Sequence, residues 1–438
     1  MMRKQVSTLV ALTAACVCLL GACSSGENAS DSTASRKAAG DTDVAADCTA
    51  RGTRADLHGC ELTDANLTSA VLLFANLTNA TLTNATLTGA YLNGAKLDGA
   101  TLTGVSSGKI IGTPASLPGN YQVTKGYLIG PKVNLTNATL TNANLTDAYL
   151  NKAILTGANL TGADLANATL TDANLTGATL TGVSSGGWRG ITGTPAAMPA
   201  GYQIFNGYII GAGVNLTNAD LTNANLTGVN LTGVNLTGVT SGGITGTPAA
   251  LCTGCLIANG YIIGAGVNLY SANLTNINLT GVNLTGVDLF EVTSGGITGT
   301  PAALCTGCLI ANGYLVGPGV KLYGANLTGA NLSGATLTGV RSGKIIGTPA
   351  SLPTDYQVTK GYLIGPKVKL TLADLTGANL TGANLTGAYL GGADLTGANL
   401  TGANLTGVIF ESTNLTGVIW SNTTCPNGVV QSTQCPRF

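Results

Sequence analysis

The clearest feature of the chain is a hydrophobic pattern that returns every five residues. Residues 373–407 read ADLTG ANLTG ANLTG AYLGG ADLTG ANLTG ANLTG, with Leu at the centre of each unit and Ala two positions before it. An α-helix needs apolar residues at a period near 3.6 and a strand needs a period of 2, so neither element fits. The pattern predicts a chain that turns a corner after each unit, with the Ala and Leu side chains pointing inward.

Four such sides close a square coil, and stacked coils would lie about 4.8 Å apart, the spacing of hydrogen-bonded strands. In-phase repetition of this kind is typical of a solenoid. The unit A-(N/D/T)-L-T-G closely resembles the pentapeptide-repeat family and accounts for roughly half of the chain. The resemblance implies a right-handed quadrilateral β-helix, so we expect an all-β solenoid over residues 55–422.

Five longer segments interrupt the pentads. Four have the same length and the second is slightly longer, and all share the skeleton SG(K/G)I-x-GTPA, a variable stretch, and GY(L/I)(I/V)G. We interpret each as a widened coil from which a loop bulges, because so short a segment cannot bury a core alone. Residues 121–123 and 127–129 can pair as a short hairpin. The five inserts are residues 105–132, 183–213, 239–266, 292–319 and 340–367.

The inserts carry half of the aromatic residues of a chain that is only 5% aromatic. If the protein binds a partner, these side chains are the expected contacts. The candidates are Tyr121, Tyr127, Trp188, Tyr202, Tyr208, Tyr261, Tyr314, Tyr356 and Tyr362.

Residues 1–22 resemble an export signal. Arg3 and Lys4 precede an apolar stretch, residues 8–20, which is too short to span a membrane. Residues 20–23 (LGAC) resemble the lipobox of bacterial lipoproteins, and the resemblance implies cleavage before Cys23 and acylation of that residue. An ordinary secretory peptide with an incidental cysteine is the alternative. Residues 23–47 lack aromatics and are rich in Ser, Ala, Gly, Asp and Thr, so we expect a disordered tether.

Eight of the eleven cysteines lie beyond Cys23, an even number that suggests disulfides in an exported chain. We expect the nearest neighbours to pair. The first pair would close an N-terminal cap over residues 48–60 that overlaps the first pentads, and the last would close a C-terminal cap over residues 423–438. The expected pairs are Cys48 with Cys60, Cys252 with Cys255, Cys305 with Cys308, and Cys425 with Cys435.

The two inner pairs also have the C-x-x-C spacing of redox motifs and of half a zinc site. When the inserts are aligned, these cysteines replace Pro199 and Tyr202 of the second insert, which favours a structural role in a turn. A shared four-cysteine metal site and redox chemistry are the alternatives.

Composition argues against catalysis and against nucleic acid. The formal charge is zero, charged residues are 9% of the chain, and phosphate binding needs clustered Lys and Arg. The only histidine, His58, lies in the first pentad, where we expect it to face solvent without the partners of a catalytic triad or metal site. No carboxylate pair or phosphate loop is recognisable. We therefore expect no enzyme activity, no cofactor and no metal.

The sequence thus predicts a lipid-anchored scaffold on the extracytoplasmic face of the cell membrane that presents its inserts to a cell-surface or matrix protein. Capped ends favour a monomer. A DNA-mimicking topoisomerase inhibitor, like the quinolone-resistance members of the family, is one alternative, although mimicry needs an acidic surface. Binding of ice or glycans by ladders of outward Thr is another, although Thr at this position also serves ordinary β propensity.

Overall fold

The protein is described by a computed structural model over residues 46–436, in which the backbone forms short strands and isolated β-bridges. Most pentads contribute a single bridging residue to the structure. The strands are Gln122–Thr124 (β1), Tyr127–Ile129 (β2), Gln203–Phe205 (β3), Tyr208–Ile210 (β4), Leu256–Ala258 (β5), Tyr261–Ile263 (β6), Asn273–Thr275 (β7), Thr293–Gly295 (β8), Leu309–Ala311 (β9), Tyr314–Val316 (β10), Lys321–Tyr323 (β11), Arg341–Gly343 (β12), Gln357–Thr359 (β13), Tyr362–Ile364 (β14), Thr423–Thr424 (β15) and Val430–Gln431 (β16).

Parallel bridges twenty residues apart define the coil. Asp56 bridges to Asn76 and Asn76 to Lys96, while the intervening pentads build three further ladders with the same separation. Since twenty residues are four pentads, each coil has four sides. The prediction of an all-β solenoid with four five-residue sides is confirmed.

Four backbone hydrogen bonds recur at the pentads, and three of them explain the form of the unit. The amide of Leu77 donates to Lys96 of the next coil at 2.7 Å, and the corner amide of Asn79 donates to Asp98 at 2.8 Å. Within the coil, Ala80 donates back to Leu77 at 3.1 Å and closes the turn. The corner residue has positive φ, 58° at Asn79 and 64° at Gly377, which is why this position is usually Gly or Asn.

The core consists of the Ala and Leu side chains that point inward from each pentad. Ala80, Leu82, Ala398 and Leu400 are fully buried, as are nearly all their equivalents along the chain. Burial of apolar surface stabilises the coil by roughly 25 cal/mol for each Å² removed from water. The small Ala and the larger Leu therefore fill a narrow interior, in which Phe410 is the only buried aromatic side chain among the described residues.

The outward Asn and Thr satisfy one another. Asn76 Oδ1 accepts hydrogen bonds from the amide of Thr78 at 3.3 Å and from its hydroxyl at 2.7 Å, and the same pair recurs at Asn225 and Thr227. A Thr hydroxyl that donates to the neighbouring Asn is not available to donate to a ligand. The recurrent N-L-T sequence therefore has a structural explanation in the turn.

Each insert keeps the ladder on the side where it begins. Ser106 bridges to Asn134 across the first insert, and Ser184 bridges to Asn215 across the second. Within the first insert, β1 and β2 pair as an antiparallel hairpin. Its tip, Lys125 and Gly126, has φ of 53° and 75°, the pattern of a tight two-residue hairpin turn.

The hairpin does not project from the coil as a bulging loop, which differs from the sequence interpretation. The Ile110 amide donates to the Gly126 carbonyl at 3.0 Å, and the Leu128 amide donates to Ser107 Oγ at 2.8 Å. Leu128 and Ile129 are buried with the coil core. The Ser and Ile of the shared SG(K/G)I skeleton thus hold the hairpin against its own coil, an arrangement that period-five reasoning could not anticipate.

The hairpin tips also bind the next coil. In the first and fifth inserts, the hydroxyls of Tyr127 and Tyr362 accept hydrogen bonds from the amides of Thr139 at 3.0 Å and Asp374 at 3.1 Å. In the third insert, the side-chain amide of Asn259 donates to carbonyls of the next coil at 3.0 and 3.1 Å. Both arrangements supply partners to backbone groups that the insertion would otherwise leave unpaired.

A proline and a tyrosine in three inserts occupy the place of the two cysteines in the others. The Tyr121 amide donates to Pro118 at 3.2 Å and the Tyr121 hydroxyl donates to the Pro131 carbonyl at 2.8 Å. In the third insert, the Cys255 amide donates to Cys252 at 3.1 Å, and the Cys255 sulfur lies against Gly264. The disulfide and the tyrosine ring therefore perform the same packing function.

Disulfides join all four expected cysteine pairs, with Cα–Cα distances of 5.2–5.4 Å. Cys60, Cys425 and Cys435 are buried at the two ends of the repeats, and β15 and β16 form a small hairpin at the C-terminal end. The expected signal, the acylation site Cys23 and nearly all of the tether lie outside the described residues.

We expect the exchange of C-x-x-C for P-x-x-Y to be tolerated. The double variant Cys252→Pro/Cys255→Tyr should unfold close to the wild type, because three other inserts use this pair in the same turn. Cys252→Ser/Cys255→Ser should lose about 2 kcal/mol, the loop-closure value for so short a disulfide, together with the packing on Gly264. Urea unfolding followed by circular dichroism compares them, and equal destabilisation of both variants would contradict the equivalence.

Candidate functional site

One ladder runs through seven coils without interruption, from Asn273 to Ile409. Here β7, β8, β11 and β12 form a parallel sheet, the only one of more than two strands within residues 46–436. Both the fourth and the fifth inserts begin on this side, so neither breaks its backbone pairing. We call this side the long ladder.

Three successive rungs of the long ladder carry a positive charge. Lys321 pairs with Arg341, and Arg341 bridges to Lys369. Each lies just before the central residue of its side, where most pentads have Asn, Thr or Asp. Adjacent strands are about 4.8 Å apart, so three like charges stand close together and repel one another.

A buried carboxylate holds two of these cations. Glu291 Oε2 lies 3.0 Å from Lys321 Nζ, and Glu291 Oε1 lies 2.7 Å from Arg341 Nε. The second contact is ionic, since the Arg341 N–H is poorly aligned for a hydrogen bond. The Glu291 side chain is 7% exposed and sits at a corner with φ of 63°. It therefore fixes the position of Lys321 and Arg341 but leaves the third cation uncompensated.

Aromatic rings interleave with the cations. Lys369 Nζ lies 4.1 Å from the centre of the Phe290 ring, which stacks on Tyr270 with centroids 5.8 Å apart. Lys344 Nζ lies 5.4 Å from the centre of the Tyr323 ring. Cation–aromatic contacts of this kind hold long side chains in place.

The long ladder continues above the cations with Tyr389. Its hydroxyl donates a hydrogen bond to Glu411 at 2.9 Å, and this bond raises the pKa of Tyr389 above its usual value. The Tyr389 hydroxyl therefore keeps its proton and donates it to Glu411. Glu411 supplies a negative charge at the upper end of the ladder.

These side chains border a groove with a volume of about 430 Å³, which we call the basic groove. Tyrosine rings and a leucine supply apolar surface between the charged ends, the combination typical of ligand sites. The lining residues are Lys321, Tyr323, Arg341, Ser342, Tyr362, Lys369, Thr371 and Leu372.

Leu372 is an unusual residue for its position. It occupies a corner with φ of 57°, where Gly or Asn is normal, and it is 77% exposed. A left-handed conformation costs roughly 1–2 kcal/mol for a residue with a Cβ, and local strain of this kind is often found at functional sites. Its side chain lies over Gly392 of the coil above. A strained, exposed leucine thus forms one wall of the basic groove.

The groove includes Tyr362 but not the other aromatic candidates from the sequence. Most of those tyrosines are half-buried in hairpin packing, and burial raises the pKa of Tyr121, Tyr202 and Tyr356. The inserts thus place their tyrosines largely within the fold. Trp188 differs, since it is 78% exposed and lies 4.0 Å from the Arg189 guanidinium.

Sequence reasoning missed Lys321, Arg341 and Lys369. Their signal was present, since each departs from the Asn, Thr or Asp that precedes the central position of a pentad. Aligning successive coils with the fifth insert treated as a single coil would have placed the three cations in one column.

The remaining candidate residues show no site chemistry. His58 Nδ1 lies 2.9 Å from Asp56 Oδ1 at the surface, and hydrogen bonding to His58 lowers the pKa of Asp56. Among the residues with described positions, no group of three or more His, Cys, Asp or Glu could hold a metal ion. The same part of the chain has no helix long and apolar enough to cross a membrane.

A comparison with protein families matches the chain to the model described as pentapeptide repeats. The matches together cover more than half of the chain. They span residues 53–84, 65–104, 132–165, 155–184, 212–240, 265–292, 318–341, 373–411 and 383–422. No curated protein matches the chain.

Two solved structures are similar to the chain at low identity. HetL, a pentapeptide repeat protein involved in heterocyst differentiation regulation in the cyanobacterium Nostoc sp. strain PCC 7120, is 18% identical over 87% of this chain and 94% of its own, with a TM-score of 0.14. A trypsin-treated variant of QnrB1, a plasmid-mediated fluoroquinolone resistance protein, is 16% identical over 54% of this chain and 89% of its own, with a TM-score of 0.16. Superpositions this poor carry no argument about function.

Replacing the buried carboxylate should destabilise this region. Glu291→Gln leaves Lys321 and Arg341 side by side without a counter-charge. We expect a loss of roughly 1–3 kcal/mol, less than for a fully buried pair, because both cations are partly solvated. Denaturant unfolding measures it, and added salt should reduce the difference between variant and wild type. A variant as stable as the wild type would show that Glu291 does not hold these cations.

Relieving the corner strain should stabilise the protein. Leu372→Gly should gain about 0.5–1 kcal/mol, because glycine adopts positive φ without a Cβ clash, offset in part by its freedom in the unfolded chain. Phe74→Gly is the matched control, since Phe74 is a second bulky corner residue, with φ of 55°. Urea midpoints should rise for both variants. A fall for Leu372→Gly alone would mean that its contact with Gly392 outweighs the strain.

Proposed function

The chain belongs to the pentapeptide-repeat family, and we propose that it is a non-catalytic, lipid-anchored scaffold on the extracytoplasmic face of the cell membrane that holds a ligand in the basic groove. The observation that carries this proposal is the row of cations on three adjacent rungs, Lys321, Arg341 and Lys369. In a chain with only 9% charged residues, three cations on successive rungs stand out, and Glu291 pairs with only two of them.

A scaffold role is supported by the way the functional groups are used. The Asn and Thr side chains close their own turns, and the buried Ala and Leu fill the core. His58 contacts a single carboxylate at the surface, which is not the geometry of a triad. Recognition of a ligand by a rigid surface is therefore the chemistry that the described residues support best.

Export is supported by the cysteines. Four disulfides are expected in an oxidising compartment and are rare in the cytosol. The lipobox resemblance at residues 20–23 adds the anchor. We further propose that the protein is a monomer, and that Trp188 and the half-buried insert tyrosines are secondary contacts for a cell-surface or matrix protein.

The alternatives have less support. A DNA mimic needs a strongly acidic surface, whereas the most distinctive patch here is basic. Ice or glycan binding through Thr ladders needs hydroxyls that are free to contact the ligand, whereas many of these hydroxyls donate to the neighbouring Asn.

The anchor is tested by cell fractionation and palmitate labelling. The wild type should be in the membrane pellet and should incorporate radioactive palmitate, whereas Cys23→Ala should lose the label because its acylation site is gone. The label is the deciding readout, since Cys23→Ala can keep the apolar residues 8–20, which also favour the pellet. Cys18→Ala is the matched control, since Cys18 lies in the segment expected to be cleaved, and it should keep the label. Labelling of Cys23→Ala at the wild-type level would contradict acylation at Cys23.

A further inference from the structure

We propose that the basic groove binds an acidic polysaccharide whose sugar rings carry carboxylates, with the polymer lying along the long ladder. This inference rests on the proposed function, because that function places the groove outside the cytoplasm, where such polymers occur.

The charge balance of the groove requires an anion. Lys321, Arg341 and Lys369 stand on adjacent rungs, and Glu291 is the only carboxylate in contact with them among the described residues. It contacts Lys321 and Arg341, while the Lys369 ammonium lies over the Phe290 ring. The backbones that carry these cations are about 4.8 Å apart, and like charges on neighbouring rungs repel one another, so a ligand that brings negative charge lowers the energy of the site.

The groove walls favour a sugar over a bare anion. The Tyr323 and Tyr362 rings and the Leu372 side chain provide apolar surface that an inorganic ion could not use. The C–H faces of pyranose rings pack on aromatic rings, while their carboxylates reach the cations. Ser342 Oγ accepts a hydrogen bond from the Leu363 amide at 2.8 Å and keeps its own proton to donate to a sugar hydroxyl.

The geometry favours a polymer over a single sugar. The cations repeat along the solenoid axis at the strand spacing, a distance comparable to the length of one sugar unit, so successive carboxylates of one chain can meet successive rungs. Beyond Lys369, the ladder continues with Tyr389, where Glu411 places a negative charge, so we expect the polymer to lie over the three cationic rungs and not beyond them. Multiple weak contacts along one chain combine into useful affinity.

Titration calorimetry tests the inference on the full-length chain carrying Cys23→Ser, which avoids lipid. The probe is an oligogalacturonate, with dextran as the neutral sugar, polyphosphate as the sugar-free polyanion and oligo(dT) as the nucleic acid. We expect binding of oligogalacturonate, none of dextran, and at least about tenfold weaker binding of the other two polyanions at moderate salt.

Two variants and one control locate the site. Lys369→Gln and Tyr323→Leu should each weaken oligogalacturonate binding about tenfold or more. Lys96→Gln should leave it unchanged, because Lys96 occupies the same pentad position on another side of the solenoid. Circular dichroism and urea unfolding verify that the variants remain folded.

The inference is overturned by three outcomes: no binding of oligogalacturonate, equal binding of all polyanions, or equal weakening by Lys96→Gln. If oligo(dT) bound more tightly than oligogalacturonate, the ligand of the groove would be a nucleic acid and not a polysaccharide. These results are independent of the fractionation and labelling of Cys23→Ala. If no ligand binds, the proposal of an anchored scaffold is unaffected. If the wild type is found in the soluble fraction, the proposal that the groove binds an acidic polysaccharide is unaffected.

Discussion

The structure depends on the backbone hydrogen bonds that join each coil to the next. A ladder residue such as Asn76 bridges to the residue twenty positions earlier and to the one twenty positions later, so every insertion must either return the chain to the ladder that it left or provide other partners. The inserts do both: Ser106 still meets Asn134, and hairpin tips such as Asn259 supply donors to the next coil. The side chains of the pentad serve this ladder by closing corners and filling the interior.

This dependence explains why the fold was predictable from one sequence. A period of five with Leu at the centre and Gly or Asn at the corner leaves few structures open, and Leu82 and Asn79 play the expected parts. The hairpin of the first insert was also predicted, although its first strand is residues 122–124, one residue later than the predicted 121–123. Its inward placement was not, because it depends on the Leu128 amide meeting Ser107 Oγ, a contact between residues far apart in the chain with no local pattern.

The candidate site was not predicted, for a different physical reason. Lys321, Arg341 and Lys369 are neighbours only because the fifth insert keeps the ladder in register while lengthening the stretch of chain between the second cation and the third. The aromatic content of the inserts drew attention to their tyrosines, most of which serve packing. Tyr121, for example, donates its hydroxyl to Pro131. Where the coil widens at an insert, tyrosine rings fill space that Ala and Leu would leave empty. A group of tyrosines can therefore look like a binding site in the sequence although it serves packing.

Departures from the pentad are therefore informative only when they do not help the fold. The Tyr121 ring packs on the backbone at Gly130 and so replaces a missing side of the coil. Glu291 and Leu372 do the opposite, since each places a bulky side chain at a positive-φ corner that Gly would occupy without strain. Glu291 contacts Lys321 and Arg341, and Leu372 lines the groove with all three cations. Bulky corner residues also occur elsewhere, as at Phe74 and Lys152, so strain alone does not mark a site. What distinguishes this side of the solenoid is the row of three cations beside such a corner, and a bound anion would offset their mutual repulsion.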